Sequence, residues 1–276
     1  MTATGPVPEL TALQANRAEA RLVLAARSGP GGTRLETLRE GGGYRIKFPE
    51  TDEGLQAVIV NTGGGLLGGD RIDLAITARA AADVTVTTQS AEKVYRAAGA
   101  PAAIAVRLQA EEGARLHWLP QESILFSGAR LARTIDAEIA ATGELMIAEA
   151  AVFGRLAMGE SAGTGLVKDR WRIRRAGRLI HADDLMLDGP IAGLLDRPAF
   201  GGGARAMMSL ILIAPDAEAR LDAARAILDH APVPGGASAW EGKLAVRLLG
   251  PDPAPLRTTT HMLIAGLTGR ALPRFW

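Results

Sequence analysis

Alternation with a period of two, interrupted at intervals of about 8–12 residues by glycine or proline, constrains this chain more than any other feature. Ile72, Leu74 and Ile76 alternate with Arg71, Asp73 and Thr77. Val84 and Val86 alternate with Thr85 and Thr87, and Ile104, Val106 and Leu108 keep the same beat. Leu131, Ile135 and Ile139 follow it more loosely. Successive strand residues point to opposite faces, so each segment reads as a short strand with one face buried. Arg21–Ala25 and Leu55–Val60 are shorter apolar strand candidates. Gly29-Pro30-Gly31-Gly32, Gly41-Gly42-Gly43, Gly99-Ala100-Pro101 and Thr142-Gly143 supply the turns between them.

The pattern changes late in the chain. Asp216–His230 carries Ala219, Leu221, Ala224, Ile227 and Leu228 at helical spacing, with Pro215 before it and Pro232 after it. Pro255–Leu267 predicts a second helix with Leu256, Leu263, Ile264 and Leu267 as its apolar face, and Lys243–Leu249 reads as a strand between the two. The expectation is a mainly β protein: a flexible N-terminal arm over residues 1–19, then one large β-rich domain over 20–276 with two α-helices in its C-terminal half.

Composition narrows the chemistry. The chain of 276 residues has no cysteine, which removes disulfides, thiolate metal cages, iron–sulfur clusters and thiol nucleophiles. A net charge of +1 and 11 aromatic residues give no basis for nucleic-acid binding. The longest apolar run, Ala206–Ala214, is about half of what a membrane span needs. No basic, then apolar, leader opens the chain, so a cytoplasmic protein is expected.

The candidate sites are sparse. Gly63-Gly64-Gly65-Leu66-Leu67-Gly68 matches the spacing of a dinucleotide loop, with Asp83 further on. That chemistry needs a helix N-terminus to receive the pyrophosphate, and the following RIDLAITAR alternates as a strand. A tight glycine turn is the better reading, with Asp70 at its end. A nucleotide- or sugar-binding β-fold enzyme that uses loop 63–69 is kept as the alternative. His181, Asp183 and Asp184 are the one close group of possible metal ligands in sequence, and they also fit a solvated strand. Glu149 stands inside the apolar stretch LMIAEAAVFG, where a carboxylate needs a partner; Arg155 is the expected one. Arg170, Arg172 and Arg174 alternate with Trp171 and Ile173, giving one basic and one apolar strand face.

Taken in order, five groups of residues resemble a known family. They are Asn61-Thr62-Gly63-Gly64-Gly65 through Gly68-Gly69-Asp70; Thr87-Thr88-Gln89 with Lys93-Val94-Tyr95-Arg96; Leu119-Pro120-Gln121-Glu122 with Ile124 and Phe126; Glu149 with Phe153-Gly154-Arg155, Met158, Gly159 and Glu160; and Leu272-Pro273-Arg274-Phe275-Trp276. The sequence is similar, from about residue 20 onward, to the UreD (UreH) urease accessory proteins.

The resemblance implies a helical-β arrangement of strands and a role that is not enzymatic. It implies UreF as direct partner, the UreG GTPase recruited through UreF, and apo-urease as the docking target. No cofactor is held tightly; Ni²⁺ is in transit toward the urease active site, through an internal water-filled passage. On that basis Asp70, Glu122, Glu149 and Glu160 are expected to line or gate the passage, with Arg155 and Lys93 balancing charge. Arg274, Phe275 and Trp276 are expected to help anchor a partner.

Overall fold

A computed structural model describes residues 17–273 and Trp276. The N-terminal arm therefore lies outside the described residues up to position 16, and Arg274 and Phe275 lie outside them too. The first strand begins at Glu19.

Seventeen strands follow in chain order: β1 Glu19–Gly29, β2 Gly32–Arg39, β3 Tyr44–Lys47, β4 Leu55–Asn61, β5 Arg71–Ala78, β6 Asp83–Thr88, β7 Glu92–Val94, β8 Ala102–Ala110, β9 Arg115–Leu119, β10 Ser123–Leu125, β11 Arg130–Ile139, β12 Glu144–Phe153, β13 Thr164–Arg175, β14 Arg178–Pro190, β15 Ala206–Ile213, β16 Gly235–Trp240 and β17 Lys243–Gly250. They build a seven-stranded sheet, β14-β13-β11-β8-β5-β1-β2, and a ten-stranded sheet whose main path is β16-β17-β15-β12-β9-β6-β4-β3.

Between β4 and β13 the chain crosses from one sheet to the other at each full-length strand. β5, β8, β11 and β13 pair in parallel in the first sheet, and β4, β6, β9 and β12 pair in parallel in the second. Each circuit adds one strand to both sheets, which is the helical-β arrangement. The short strands β7 and β10 pair with each other, and β10 also pairs with β12, at one corner of the coil. Antiparallel hairpins close the ends, β1–β2 and β13–β14 on one sheet, β3–β4 and β15–β17–β16 on the other.

The alternation decides which side chains face inward. Ile72, Leu74 and Ile76 of β5 point toward Val84, Val86, Leu116 and Ile147 of the second sheet in one continuous core. β12 is different because both its faces are covered. Leu145, Ile147 and Phe153 join the inter-sheet core, and Met146, Ala148 and Val152 join a second core beneath the helices. A strand buried on both sides reads as an unbroken apolar run, which is why this segment shows no alternation in sequence.

The expected late helices are present with shifted bounds. A 3₁₀ turn at Ala217–Arg220 leads into the helix Leu221–Asp229, and the C-terminal helix spans Pro253–Thr268. Asp252 caps the latter by accepting from the Ala254 N–H at 2.9 Å. A third, short helix at Ile191–Leu195 was not anticipated. Its five residues are too few to show helical periodicity.

Ion pairs tie the helical layer to the coil. Arg270 forks onto Asp83 at 2.9 and 2.6 Å. Arg115 spans Asp83 and Glu144, and Arg220 reaches the other oxygen of Glu144 at 3.0 Å. Burial alone would raise the Glu144 pKa. His117, 3.0 Å away, together with Arg220 and Arg115, overrides it and holds Glu144 down at about 2.

The glycine loop runs between strands, so no helix dipole faces it. Leu66 donates to the Lys93 carbonyl at 2.7 Å and accepts from the Tyr95 N–H at 2.9 Å. A Cβ on Gly68 would lie 2.3 Å from the Ala97 Cβ and 2.8 Å from the Ala100 carbonyl oxygen. Gly68→Ala should therefore cost about 1–3 kcal/mol through overpacking, measured by urea unfolding. Gly99→Ala, where no atom lies within 4 Å, should stay within about 0.5 kcal/mol. Equal stability of the two variants would contradict the close packing of the loop.

Candidate functional site

The inward face of β11 carries Leu131, Ile135, Ala137 and Ile139, and at the same parity Arg133. The inward face of β13 carries Val167, Trp171 and Ile173, with Asp169 at that parity. Register places Arg133 directly beside Asp169. Across the gap, Glu149 projects from β12 of the second sheet, on the same face as Ile147. The three charges meet between the sheets.

Arg133 donates from Nε to Asp169 Oδ1 at 3.0 Å, and from its two terminal nitrogens to Asp169 Oδ2 and Glu149 Oε2. Two indoles complete the acceptors. Trp118 Nε1 donates to Glu149 Oε1 at 2.8 Å and Trp171 Nε1 donates to Asp169 Oδ1 at 2.9 Å. Arg133 is 7% exposed and Glu149 5%. Two carboxylates against one guanidinium leave an excess of one formal negative charge in a region where an unpaired charge is costly. Burial lifts the Glu149 carboxyl above the usual carboxylate range, against the pull of Arg133.

Cavities flank this cluster on both sides. The outer one, of about 140 Å³, is rimmed by exposed Gln89, Ser90 and Lys93 and runs inward past Tyr44, Asn61 and Glu92. The inner one, of about 20 Å³, lies toward Trp171, Ser209 and the partly exposed Asp183–Arg247 ion pair. Ser123, Arg133 and Glu149 line both. The polar residues of the two cavities thus form a lane between the sheets, with Ser123, Arg133 and Glu149 where the two linings overlap. The inner part has room for one or two water molecules.

A second polar group sits in the outer cavity. Asn61 Nδ2 donates to the Tyr44 hydroxyl at 3.0 Å and to both Glu92 oxygens at 3.0 and 3.1 Å. Burial lifts Glu92 to about 7, although the bonds from Asn61 and Tyr44 oppose it. Burial, with Glu92 and Asp70 nearby, raises the Tyr44 phenol.

The four acids expected from sequence occupy four different settings. Asp70 is 3% exposed and accepts from the Ala18 N–H at 2.9 Å and the Leu67 N–H at 2.7 Å, closing the glycine loop. Glu122 pairs with Arg257 of the C-terminal helix. Glu160 pairs with Arg155, 3.0 Å from its Nε, and accepts from the Ser127 N–H at 2.9 Å. Glu149 alone of the four lines the lane. The expected Glu149–Arg155 pair is replaced by Glu149–Arg133, because Arg155 follows β12 in the next turn while Arg133 faces Glu149 across the core. Lys93 stands on the outer rim. Among the described residues no three His, Cys, Asp or Glu side chains gather closely enough to hold a metal ion. His181 packs edge-on to Trp171, Asp183 pairs with Arg247 and Asp184 with Arg172, so that run divides between partners.

Trp276 packs on its own chain. Its Nε1 donates to Thr87 Oγ1 and the Leu119 carbonyl, both at 2.8 Å, and its ring lies 5.4 Å from that of His261. Arg133, Asp169, Glu92 and Tyr44 escaped sequence reading. The signal for the first two was present: a charged residue at the inward parity of an alternating strand.

The order of the quoted residues agrees with comparison to known proteins. Residues 16–276 match the family described as UreD urease accessory protein. The chain belongs to the UreD family. It is 50% identical over 260 residues to the urease accessory protein UreD of Xanthobacter autotrophicus, covering 94% of this chain and 90% of that one. Against UreD 2 of Methylorubrum populi it is 48% identical over 260 residues, covering 93% and 88%. Against UreD of Mesorhizobium japonicum it is 46% identical over 268 residues, covering 95% of each. The family is one of accessory proteins of urease, not of enzymes. No helix among the described residues is long and apolar enough to cross a membrane.

The Glu92 carboxyl carries a pH prediction. Its pKa in the folded chain lies above the ordinary value of 4.5, so the fold binds the proton more tightly than the unfolded chain does. Stability from this group is present at low pH and is lost as pH rises from about 4.5 to about 7, by no more than about 3 kcal/mol. Glu92→Gln keeps an acceptor for Asn61 and Tyr44 but cannot ionise. Its stability should equal or exceed that of the wild type at pH 8, and the advantage should shrink on acidification toward pH 4.5. A pH-independent difference in urea midpoint would contradict this.

Proposed function

We propose that this chain is a cytoplasmic scaffold of urease maturation that binds UreF, recruits UreG through it, docks on apo-urease and delivers Ni²⁺ through its own interior. One observation carries the reading: two cavities with different exposed rims share Ser123, Arg133 and Glu149 between the sheets. The lane offers carboxylate, hydroxyl, phenol and amide oxygens and no thiolate. Nickel accepts such ligands without being locked in place, whereas a cysteine cage would hold it hard. A conduit must bind weakly enough to release.

Within this reading Glu149 lines the passage, and Asp70, Glu122 and Glu160 shape its surroundings. Asp70 holds the glycine loop beside the outer cavity. Glu122 joins the C-terminal helix at a groove floored by Leu256 and Trp276. The terminal Arg274-Phe275-Trp276 remains the proposed anchor for a partner, with Trp276 fixing the end of the chain on the coil. The alternative, an enzyme using loop 63–69, finds no support in the loop's setting, because it leads into β5 and not into a helix.

Ala91→Trp tests the route. Ala91 is half-buried and lines the outer cavity, and an indole there fills the mouth. Co-purification with the accessory proteins and urease should be unchanged. Nickel loading of urease, read as metal content per active site, should fall by roughly tenfold or more. Normal loading by this variant would refute an interior route.

A further inference from the structure

The place where the two cavity linings overlap is filled by a cation that the protein itself supplies. The Arg133 guanidinium lies between Glu149 of one sheet and Asp169 of the other and donates to both. Every carboxylate oxygen of the pair has a donor: Arg133 serves three contacts, Trp118 and Trp171 the others. Without Arg133 the buried Glu149 carboxylate and the partly buried Asp169 carboxylate would face each other beside the cavities that Arg133 and Glu149 line. That arrangement would hold a divalent cation, and a chain that holds its cargo cannot pass it on.

We propose that Arg133 is the resident counter-charge of the passage: it occupies the cation position between Glu149 and Asp169, so that a passing divalent ion must displace it and is expelled when it returns. This rests on the reading that the ion travels through the interior. Arg133 is a positioning residue here. It touches the carboxylates and sets how long the ion stays.

Three features make the arrangement suited to this task. Arginine stays charged at any physiological pH, so the counter-charge is permanent. Its forked head bonds both carboxylates at once, and an ion that takes one of them loosens the grip on the other. The flanking spaces differ in size, about 140 Å³ outside and about 20 Å³ inside. A fully hydrated ion fits the first and not the second, so water is exchanged for carboxylate at Arg133. The two indole N–H groups hold the carboxylates in place while the guanidinium moves.

The test reads nickel retention by the isolated full chain in equilibrium dialysis against Ni²⁺ alone, alongside urease loading by the complete accessory complex. Wild type should retain no nickel above background. Arg133→Met should retain about one ion per chain and slow loading by roughly tenfold or more. Arg133→Lys keeps the charge but serves one carboxylate at a time, so it should fall between the two. Arg133→Met/Glu149→Gln should lose the retained ion again, which locates it at this pair. Retention by both single variants equal to wild type would overturn the proposal, as would an ion that Glu149→Gln fails to remove. If Arg133→Met does not fold, Arg133→Lys decides: retention above wild type supports the counter-charge and retention equal to it overturns it. Failure here with Ala91→Trp still blocking loading leaves the interior route standing. Normal loading by Ala91→Trp removes the route whatever Arg133 does.

Discussion

Opposite charges placed between two sheets dominate the organisation of this protein. Arg133 belongs to one sheet and Glu149 to the other, and Asp169 shares the β11–β13 ladder with Arg133. A sheet-to-sheet core is otherwise non-directional, held by the burial of residues such as Leu74, Val86 and Ile147. Apolar contacts tolerate sliding, whereas a forked charge pair does not. Removing one partner from such a buried cluster costs about 3–5 kcal/mol, so the cluster fixes how the coils face each other. It also keeps polar space open where hydrophobic side chains would have closed it.

The coil explains why that space exists. Parallel pairing of β5, β8, β11 and β13 stacks equivalent positions on successive strands. A row running across the first sheet passes from Ile72 through Ile104 to Arg133 and Asp169. The row is apolar at one end and charged at the other, so the interior changes from apolar to polar along a single line. The short strands β7 and β10 leave the second sheet open at the corner beside Glu92 and Ser123, and the outer cavity enters there.

Much of the fold was legible in the sequence because alternation is a local signal. β5, β6, β8 and β17, and the two longer helices, each announce themselves within a dozen residues. β12 did not, since burial on both faces erases the period. The short helix Ile191–Leu195 gave no period to read. The site was less legible. Glu149 stood out as a charge in an apolar stretch, but its partner lay 16 residues away on the facing sheet, and Arg155 was nearer in sequence. Asp169 lies 36 residues from Arg133, and only strand register joins them. Asp70 was legible as the residue that ends the glycine loop. Its two backbone bonds show that its first task is to shape that loop.

The central claim is that the ion moves through the space between the sheets. Anomalous scattering at the nickel edge, from crystals of this chain in its assembled complex and equilibrated with Ni²⁺, tests it most directly. The account predicts a nickel peak inside the chain, between the Glu92 cluster and Glu149. Nickel found solely on the outer surface of the chain, with the interior lane holding water alone, would contradict it.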